Sequence, residues 1–159
     1  MVRYHQTNEN ITIFDPNRTN NGQTDTETPI GIFTKEKPND IFGGENVQMP
    51  LFVKANNILK FNTRQEAQKY FIKHIPSYKE KIDYINYLND EDPFTIVSND
   101  SYEISGEIKK LITDYLKKSG FDGFELVNDE GLSSTGLSNV HTIVVFNPNQ
   151  IKSATDNNG

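Results

Sequence analysis

Three places in this chain combine residue types that could do chemistry. His5 and Thr7 end the first strand-like segment, Gly31 lies close to the aromatic Phe33, and His141 and Thr142 begin the apolar run TIVVF. An imidazole can donate or accept a hydrogen bond, and a hydroxyl can do both. Each place could therefore bind a polar ligand, and on residue types alone each could equally be structural.

The common catalytic signatures are missing from the sequence. It contains no glycine fingerprint after a strand, no Walker-type loop, no His-Glu-x-x-His and no cysteine nucleophile. The three histidines, at positions 5, 74 and 141, do not share helical spacing, so no histidine-based metal site is expected. His74 falls among the apolar positions of a predicted helix, which favours a packed structural histidine over a ligand.

Composition limits the class of protein. A chain of 159 residues predicts one domain with a real core, and a net charge of −6 with scattered acids argues against a broad duplex-DNA footprint. No apolar run approaches the roughly 20 residues that span a bilayer, and no secretory signal is recognisable. We therefore expect no membrane contact and a cytoplasmic location, in a bacterial or a host cell.

The order of the predicted elements indicates an α+β fold. Strands are predicted in MVRYHQT and QMPLFVKANNILKF at the start, and in FDGFELV and TIVVF at the end, while PIGIFTK is a brief apolar segment. Between them lie helical stretches, one opened by a capping box of Thr63 and Glu66, and one with Ser105 as its cap and Gly120 as its left-handed stop. Strands at both ends with helices inserted in the middle are typical of α+β domains.

Read in order, four segments resemble the motifs of ADP-ribosyltransferases of the diphtheria-toxin and poly(ADP-ribose) polymerase type. RYHQT resembles the opening catalytic strand, and PIGIFTK resembles the second motif. SGFDGFELVNDEG is similar to the Gly-Tyr-Asp-Gly strand of compact members. TIVVFNPNQIKSA resembles the closing strand, in the form seen in bacterial, phage and mobile-element polyvalent proteins.

This resemblance implies a fold, a substrate and a set of site residues. The fold would be a split, bent pair of antiparallel sheets with a cleft between them. NAD would bind in this cleft as the substrate, and no metal is expected. His5 would bind the adenosine-side ribose, the backbone of Gln6 would pair with the nicotinamide amide, and Thr7 would face nicotinamide or ribose. Gly31 belongs to the second motif, and Phe33 would stack on nicotinamide because stacking requires only a ring.

At the third motif position the family has a catalytic glutamate, and this chain has Thr142. A threonine keeps a hydrogen bond but offers no charge to the transition state. Glu130 or Asp129, in the preceding loop, could lend a carboxylate, or both could be solvated loop acids. His141 should point to the opposite face of the strand, and Glu125 is expected to be structural.

The sequence thus predicts a toxin-like, NAD-dependent mono-ADP-ribosyltransferase, with residues 1–153 as the domain and 154–159 as a polar tail. Its acceptor would be a protein or a nucleic acid, and the domain would act as a monomer. One alternative is a catalytically impaired module that binds NAD or ADP-ribose. Another is a structural or interaction module of a phage or mobile-element polyprotein.

Overall fold

The computed structural model describes residues 1–7, 26–37, 47–91, 100–129 and 140–155. The described residues form seven strands, three α-helices and a short 3-10 helix at Pro148–Gln150. The strands are β1 (Val2–Thr7), β2 (Ile32–Lys35), β3 (Val47–Val53), β4 (Ile58–Phe61), β5 (Gly123–Leu126), β6 (Thr142–Val145) and β7 (Ile151–Ser153), and the helices are α1 (Arg64–His74), α2 (Pro76–Glu91) and α3 (Asp100–Lys118).

The strands form one mixed sheet in the order β4-β5-β6-β2-β1-β3-β7. All neighbouring strands run antiparallel except β4 and β5, which run parallel. Parallel strands need a long crossover connection, and the segment between β4 and β5, which contains all three α-helices, provides it. The predicted α+β class with helices in the middle is confirmed, and the sheet departs from wholly antiparallel at this one pair.

The sheet is bent, which is visible from its two apolar clusters. The larger cluster fills the space between the helices and one face of β4, β5, β6 and β2, and includes Phe71, Ile112 and Phe124. The smaller cluster joins Ile32, Ile143 and Val145 to Val53 of β3 and Ile151 of β7. Because β3 and β7 lie at the far end of the strand order from β6, these contacts require the sheet to curl back on itself.

A side chain near the closing strand reinforces this curl. Gln150 Oε1 accepts hydrogen bonds from the backbone N–H groups of Phe146 (3.1 Å) and Asn147 (2.9 Å). Its Nε2 donates to the carbonyls of Asp122 (2.8 Å) and Lys54 (3.3 Å). The glutamine of the NPNQIKSA segment thus ties the end of β6 to the residues that flank β3 and β5.

The helices begin and end partly where the sequence predicts. Thr63 caps α1 by accepting from the N–H of Glu66, and Gly120 has a φ of 84° just after α3. The prediction that Ser105 caps α3 is wrong, because α3 begins at Asp100 and Ser105 is buried inside it. Its buried stripe of Ile108, Ile112 and Leu116 faces the larger cluster.

His74 lies on the surface, so the prediction of a packed histidine is wrong. Its ring stacks on Tyr70 with centroids 4.0 Å apart, and its Nδ1 lies 2.8 Å from the Tyr70 carbonyl oxygen. In the last turn of α1 this bond satisfies a carbonyl near the helix end, as basic side chains commonly do there.

The first strand buries an arginine and exposes its apolar neighbour. Arg3 is 0% exposed, whereas Val2 is 43% exposed. Arg3 Nη2 donates to the carbonyl oxygens of His141 (2.7 Å) and Thr34 (3.3 Å). A buried guanidinium that bonds two carbonyls links β1 to β2 and to the start of β6.

In the part of the chain that the structure describes, no helix is long and apolar enough to cross a membrane.

Candidate active site

The strands that carry His5, Phe33 and Thr142 are β1, β2 and β6, and they are neighbours in the sheet, in the order β6-β2-β1. In the register of the strands, Lys35 lies opposite Thr142 on one side and opposite Tyr4 on the other. Phe33 lies opposite Val144, which is two residues from Thr142. The fold therefore gathers the strands that carry His5, Phe33 and Thr142, although these residues are far apart in the chain.

Gly31 allows β2 to approach β6. A Cβ at this position would lie 2.6 Å from the carbonyl oxygen of Val145 and 2.7 Å from Cγ1 of Val144. No side chain fits at that distance, so the glycine of the second motif has a packing role at the start of β2.

The faces of the sheet separate His5 from the other two side chains. Side chains alternate between the two faces along a strand, and directly paired residues share a face. Phe33 is paired with Val144, and Thr142 lies two residues from Val144 on the same strand. All three side chains therefore lie on the face that packs against the helices. His5, adjacent to Tyr4, projects from the opposite face, and its Nδ1 lies 2.8 Å from the carbonyl oxygen of Phe33.

The contact with Phe33 fixes the form of the His5 ring. A carbonyl can only accept, so Nδ1 carries the hydrogen and Nε2 is the acceptor nitrogen of the neutral imidazole. Burial lowers the pKa of His5 below its ordinary value of 6.5, and the bond to Phe33 opposes that effect only in part. His5 is thus a neutral ring at neutral pH.

Phe33 has a cation close to its ring. The Nζ of Lys109, on α3, lies 5.8 Å from the ring centroid, and Lys109 is only 8% exposed. The same ammonium lies 3.5 Å from the Thr28 hydroxyl. Phe33 therefore borders a positively charged group on the helix-covered face.

Thr142 contacts a carboxylate directly. Its Oγ1 donates to Asp129 Oδ2 over 3.0 Å, and both residues are 2% exposed. Asp129 follows β5, which pairs antiparallel with β6, and its N–H donates to the Val140 carbonyl (2.9 Å). The alternative that Asp129 is a solvated loop acid is therefore wrong.

The Asp129 carboxylate is held from its other side by an arginine. Arg64 Nε donates to Asp129 Oδ1 over 2.6 Å, and Arg64 Nη1 lies 3.5 Å from Glu27 Oε2. Arg64 is the first residue of α1, and Glu27 precedes β2. Arg64 thus joins the carboxylate that contacts Thr142 to a second acid, Glu27, from another segment of the chain.

His141 belongs to a different group of charges. Its Nε2 lies 2.7 Å from Glu125 Oε1, and Lys60 Nζ lies 3.1 Å from the same oxygen. Burial by itself raises the pKa of Glu125, but the contacts with His141 and Lys60 outweigh it and hold the pKa below its usual range. As predicted, His141 and Thr142 point to opposite faces, and Glu125 is part of a structural ion pair.

Some predicted site residues can be placed only in part. Gln6 and Thr7 continue the regular antiparallel pairing of β1 with β3, opposite Gln48 and Val47. Glu130 lies outside the described residues. Within the described ranges no group of three or more histidines and acids is arranged to hold a metal ion.

Comparison with known proteins identifies the family. Residues 1–159 match the family of ADP-ribosyltransferases in polyvalent proteins, and the chain belongs to that family. No curated protein and no solved structure matches the chain. The suspected family is thereby confirmed over the whole chain, and enzymes of this class take NAD as their substrate.

Proposed function

We propose that this domain is an NAD-dependent mono-ADP-ribosyltransferase that acts on a protein or nucleic-acid acceptor. The observation that carries the proposal is the adjacency of β1, β2 and β6 in a chain of the ADP-ribosyltransferase family. These strands bear the residues at the three motif positions, His5, Phe33 and Thr142.

The proposal gives each motif residue a contact with NAD, and because His5 projects from the face opposite Phe33 and Thr142, it requires NAD to reach both faces of these strands. The neutral His5 ring, with Nε2 as an acceptor, suits a ribose hydroxyl donor. Phe33 provides an aromatic surface for nicotinamide, while the backbone of Gln6 and the hydroxyl of Thr7 would contact the nicotinamide end. Gly31 sets the position of Phe33 by letting β2 pack closely against β6.

The reaction replaces one bond at the anomeric carbon of the nicotinamide ribose. The carbon–nitrogen bond breaks, and its electron pair leaves with nicotinamide, which was cationic in NAD and departs neutral. The acceptor atom forms a new bond to the same carbon from the opposite side and loses its proton to solvent. Positive charge spreads over the sugar during this exchange, so negative charge nearby accelerates it.

The direct test uses NAD labelled in its adenosine part. The purified domain is incubated with labelled NAD and candidate protein or nucleic-acid acceptors, and label transfer and nicotinamide release are both followed. We expect His5→Ala to lower both, and His74→Ala, a histidine exposed on α1, to leave both unchanged. If the unaltered domain neither transfers label nor releases nicotinamide, the enzymatic proposal fails.

A second candidate function is binding of NAD or ADP-ribose without turnover. It is favoured by Thr142, whose hydroxyl lacks the charge of the glutamate that the family has at this position. Calorimetry separates the candidates, because a binding module takes up NAD or ADP-ribose but releases no nicotinamide. A purely structural or interaction module would show no affinity for either compound.

A further inference from the structure

We propose that Asp129 supplies the carboxylate that Thr142 lacks, so that the negative charge enters the active site from the end of β5. This inference rests on the proposed transferase function and concerns the same site. Its starting point is the 3.0 Å hydrogen bond from Thr142 Oγ1 to Asp129 Oδ2. A glutamate at position 142 would extend beyond the threonine hydroxyl, toward the space that the Asp129 carboxylate occupies.

Asp129 is held in one position by three contacts. Its own N–H is bonded to the Val140 carbonyl, one of its oxygens accepts from Thr142, and the other accepts from Arg64. A carboxylate has about four lone-pair sites, so these two side-chain bonds do not use all of its capacity to accept hydrogen bonds. A fixed carboxylate does not have to reorganise when charge develops in the transition state.

The charges around Asp129 leave a negative excess. Arg64 is paired with Asp129 on one side and lies 3.5 Å from Glu27 on the other. Among the residues that the structure describes, this group brings together two carboxylates and one guanidinium, which sum to a net charge of −1. The side chains of Asp129, Arg64 and Glu27 are only 3%, 19% and 19% exposed, so water screens this charge weakly.

The position of Asp129 also suits the sugar next to a ring stacked on Phe33. Phe33 lies opposite Val144, two residues along β6 from Thr142 and on the same face. Two residues of a strand span about 7 Å, which is comparable to the size of a nucleoside. Nicotinamide against Phe33 would therefore place its ribose near Thr142 and Asp129.

In this arrangement Asp129 accepts a hydrogen bond from the 2′-hydroxyl of the nicotinamide ribose and stabilises the positive sugar as the carbon–nitrogen bond breaks. The electron pair leaves with nicotinamide, and Asp129 takes no proton in this step. Thr142 and Arg64 are positioning residues, since they orient the carboxylate.

The test is Asp129→Asn, which keeps the shape of the side chain and an oxygen for Arg64 but removes the charge. We expect nicotinamide release to fall on the order of 100-fold to 1000-fold in kcat, while the Kd for NAD by calorimetry changes less than threefold. The matched control is Asp114→Asn, an exposed acid on α3 paired with Lys110, which should leave the rate unchanged.

A folded Asp129→Asn variant that keeps a rate within threefold of the unaltered domain overturns the role of Asp129 and leaves the transferase proposal intact. If the unaltered domain itself releases no nicotinamide, the proposed function fails, and the role of Asp129 fails with it.

A double variant tests whether a carboxylate on the adjacent strand can replace that of Asp129. Asp129→Asn combined with Thr142→Glu returns a carboxylate from the adjacent strand, beside Arg64. Release within tenfold of the unaltered domain supports the view that a charge at this point is what matters. A folded double variant that binds NAD but shows a 100-fold lower rate overturns it.

Discussion

His141 and Thr142 are adjacent residues on opposite faces of the sheet, and each contacts a carboxylate in very different surroundings. Thr142 contacts Asp129, whose side chain is 3% exposed and pairs with Arg64. His141 contacts Glu125, whose side chain is 12% exposed and pairs with the 56% exposed Lys60. The first group is nearly buried, with Arg64 19% exposed at its edge, and the second is open to water through its cation.

The difference shows which ion pair the fold depends on. In the weakly screened group, each charge needs its partner, because an unpaired buried charge is costly. In the water-exposed group, solvent replaces a lost partner at little cost. The two groups share strand β6, so they can be compared within one protein and under the same conditions.

The largest effect on stability is expected for Arg64→Met, which leaves Asp129 without its cation. Breaking a buried pair from one side commonly costs about 3 to 5 kcal/mol, and the lower end applies here because Arg64 is 19% exposed. The free energy of unfolding in urea measures the change. A loss below about 1 kcal/mol would show that water screens this pair as well as the pair on the other face.

The sequence predicts the family, the α+β class and most strands because those features depend on local patterns. The closing segment FNPNQIKSA is an example, since its Gln150 side chain makes the backbone contacts that hold the end of β6. The Thr63 cap and the Gly120 stop are also local signals that the structure contains.

The environment of Asp129 could not be predicted in the same way. Its partner Arg64 is 65 residues away in the chain, and the pair forms only because β4 and β5 run parallel and bring their ends together. Similarly, Ser105 carries a local cap signal, but α3 begins at Asp100 and Ser105 is buried within it. The burial of Arg3 depends on carbonyls of β2 and of the residue before β6, which no pattern in β1 reveals.

A smaller loss of stability is expected for Thr142→Val, which removes the hydroxyl and keeps the shape. A hydrogen bond to a charged group contributes about 1.5 kcal/mol or somewhat more, and here the bond leads to a buried carboxylate. Thr142→Ser is the matched control, because it retains the hydroxyl. Urea unfolding of the two variants gives the comparison, and a Thr142→Val variant as stable as the unaltered domain would show that the hydrogen bond contributes nothing to stability.

On the other face, the stability contributed by Glu125 should depend on pH. The folded state lowers the pKa of Glu125 below its ordinary value of 4.5, so the unfolded chain binds a proton more readily. The contribution is therefore fully present above pH 4.5 and is lost as the pH falls through the folded-state pKa. Glu125→Gln should flatten the stability curve in this range, and an unchanged slope would contradict the pairing with His141 and Lys60.

The smallest effect is expected for Lys60→Met. The ammonium of Lys60 lies 3.1 Å from Glu125, but its side chain is 56% exposed, and exposed pairs contribute between about 0 and 1 kcal/mol. We expect a loss of about 0.5 kcal/mol at low salt that disappears at high salt, because ions screen exposed charges. Arg64→Met should keep most of its larger loss at high salt, since Asp129 is enclosed. If both variants lose the same stability and respond to salt alike, burial does not distinguish the two carboxylates, and the electrostatic argument for Asp129 loses its basis.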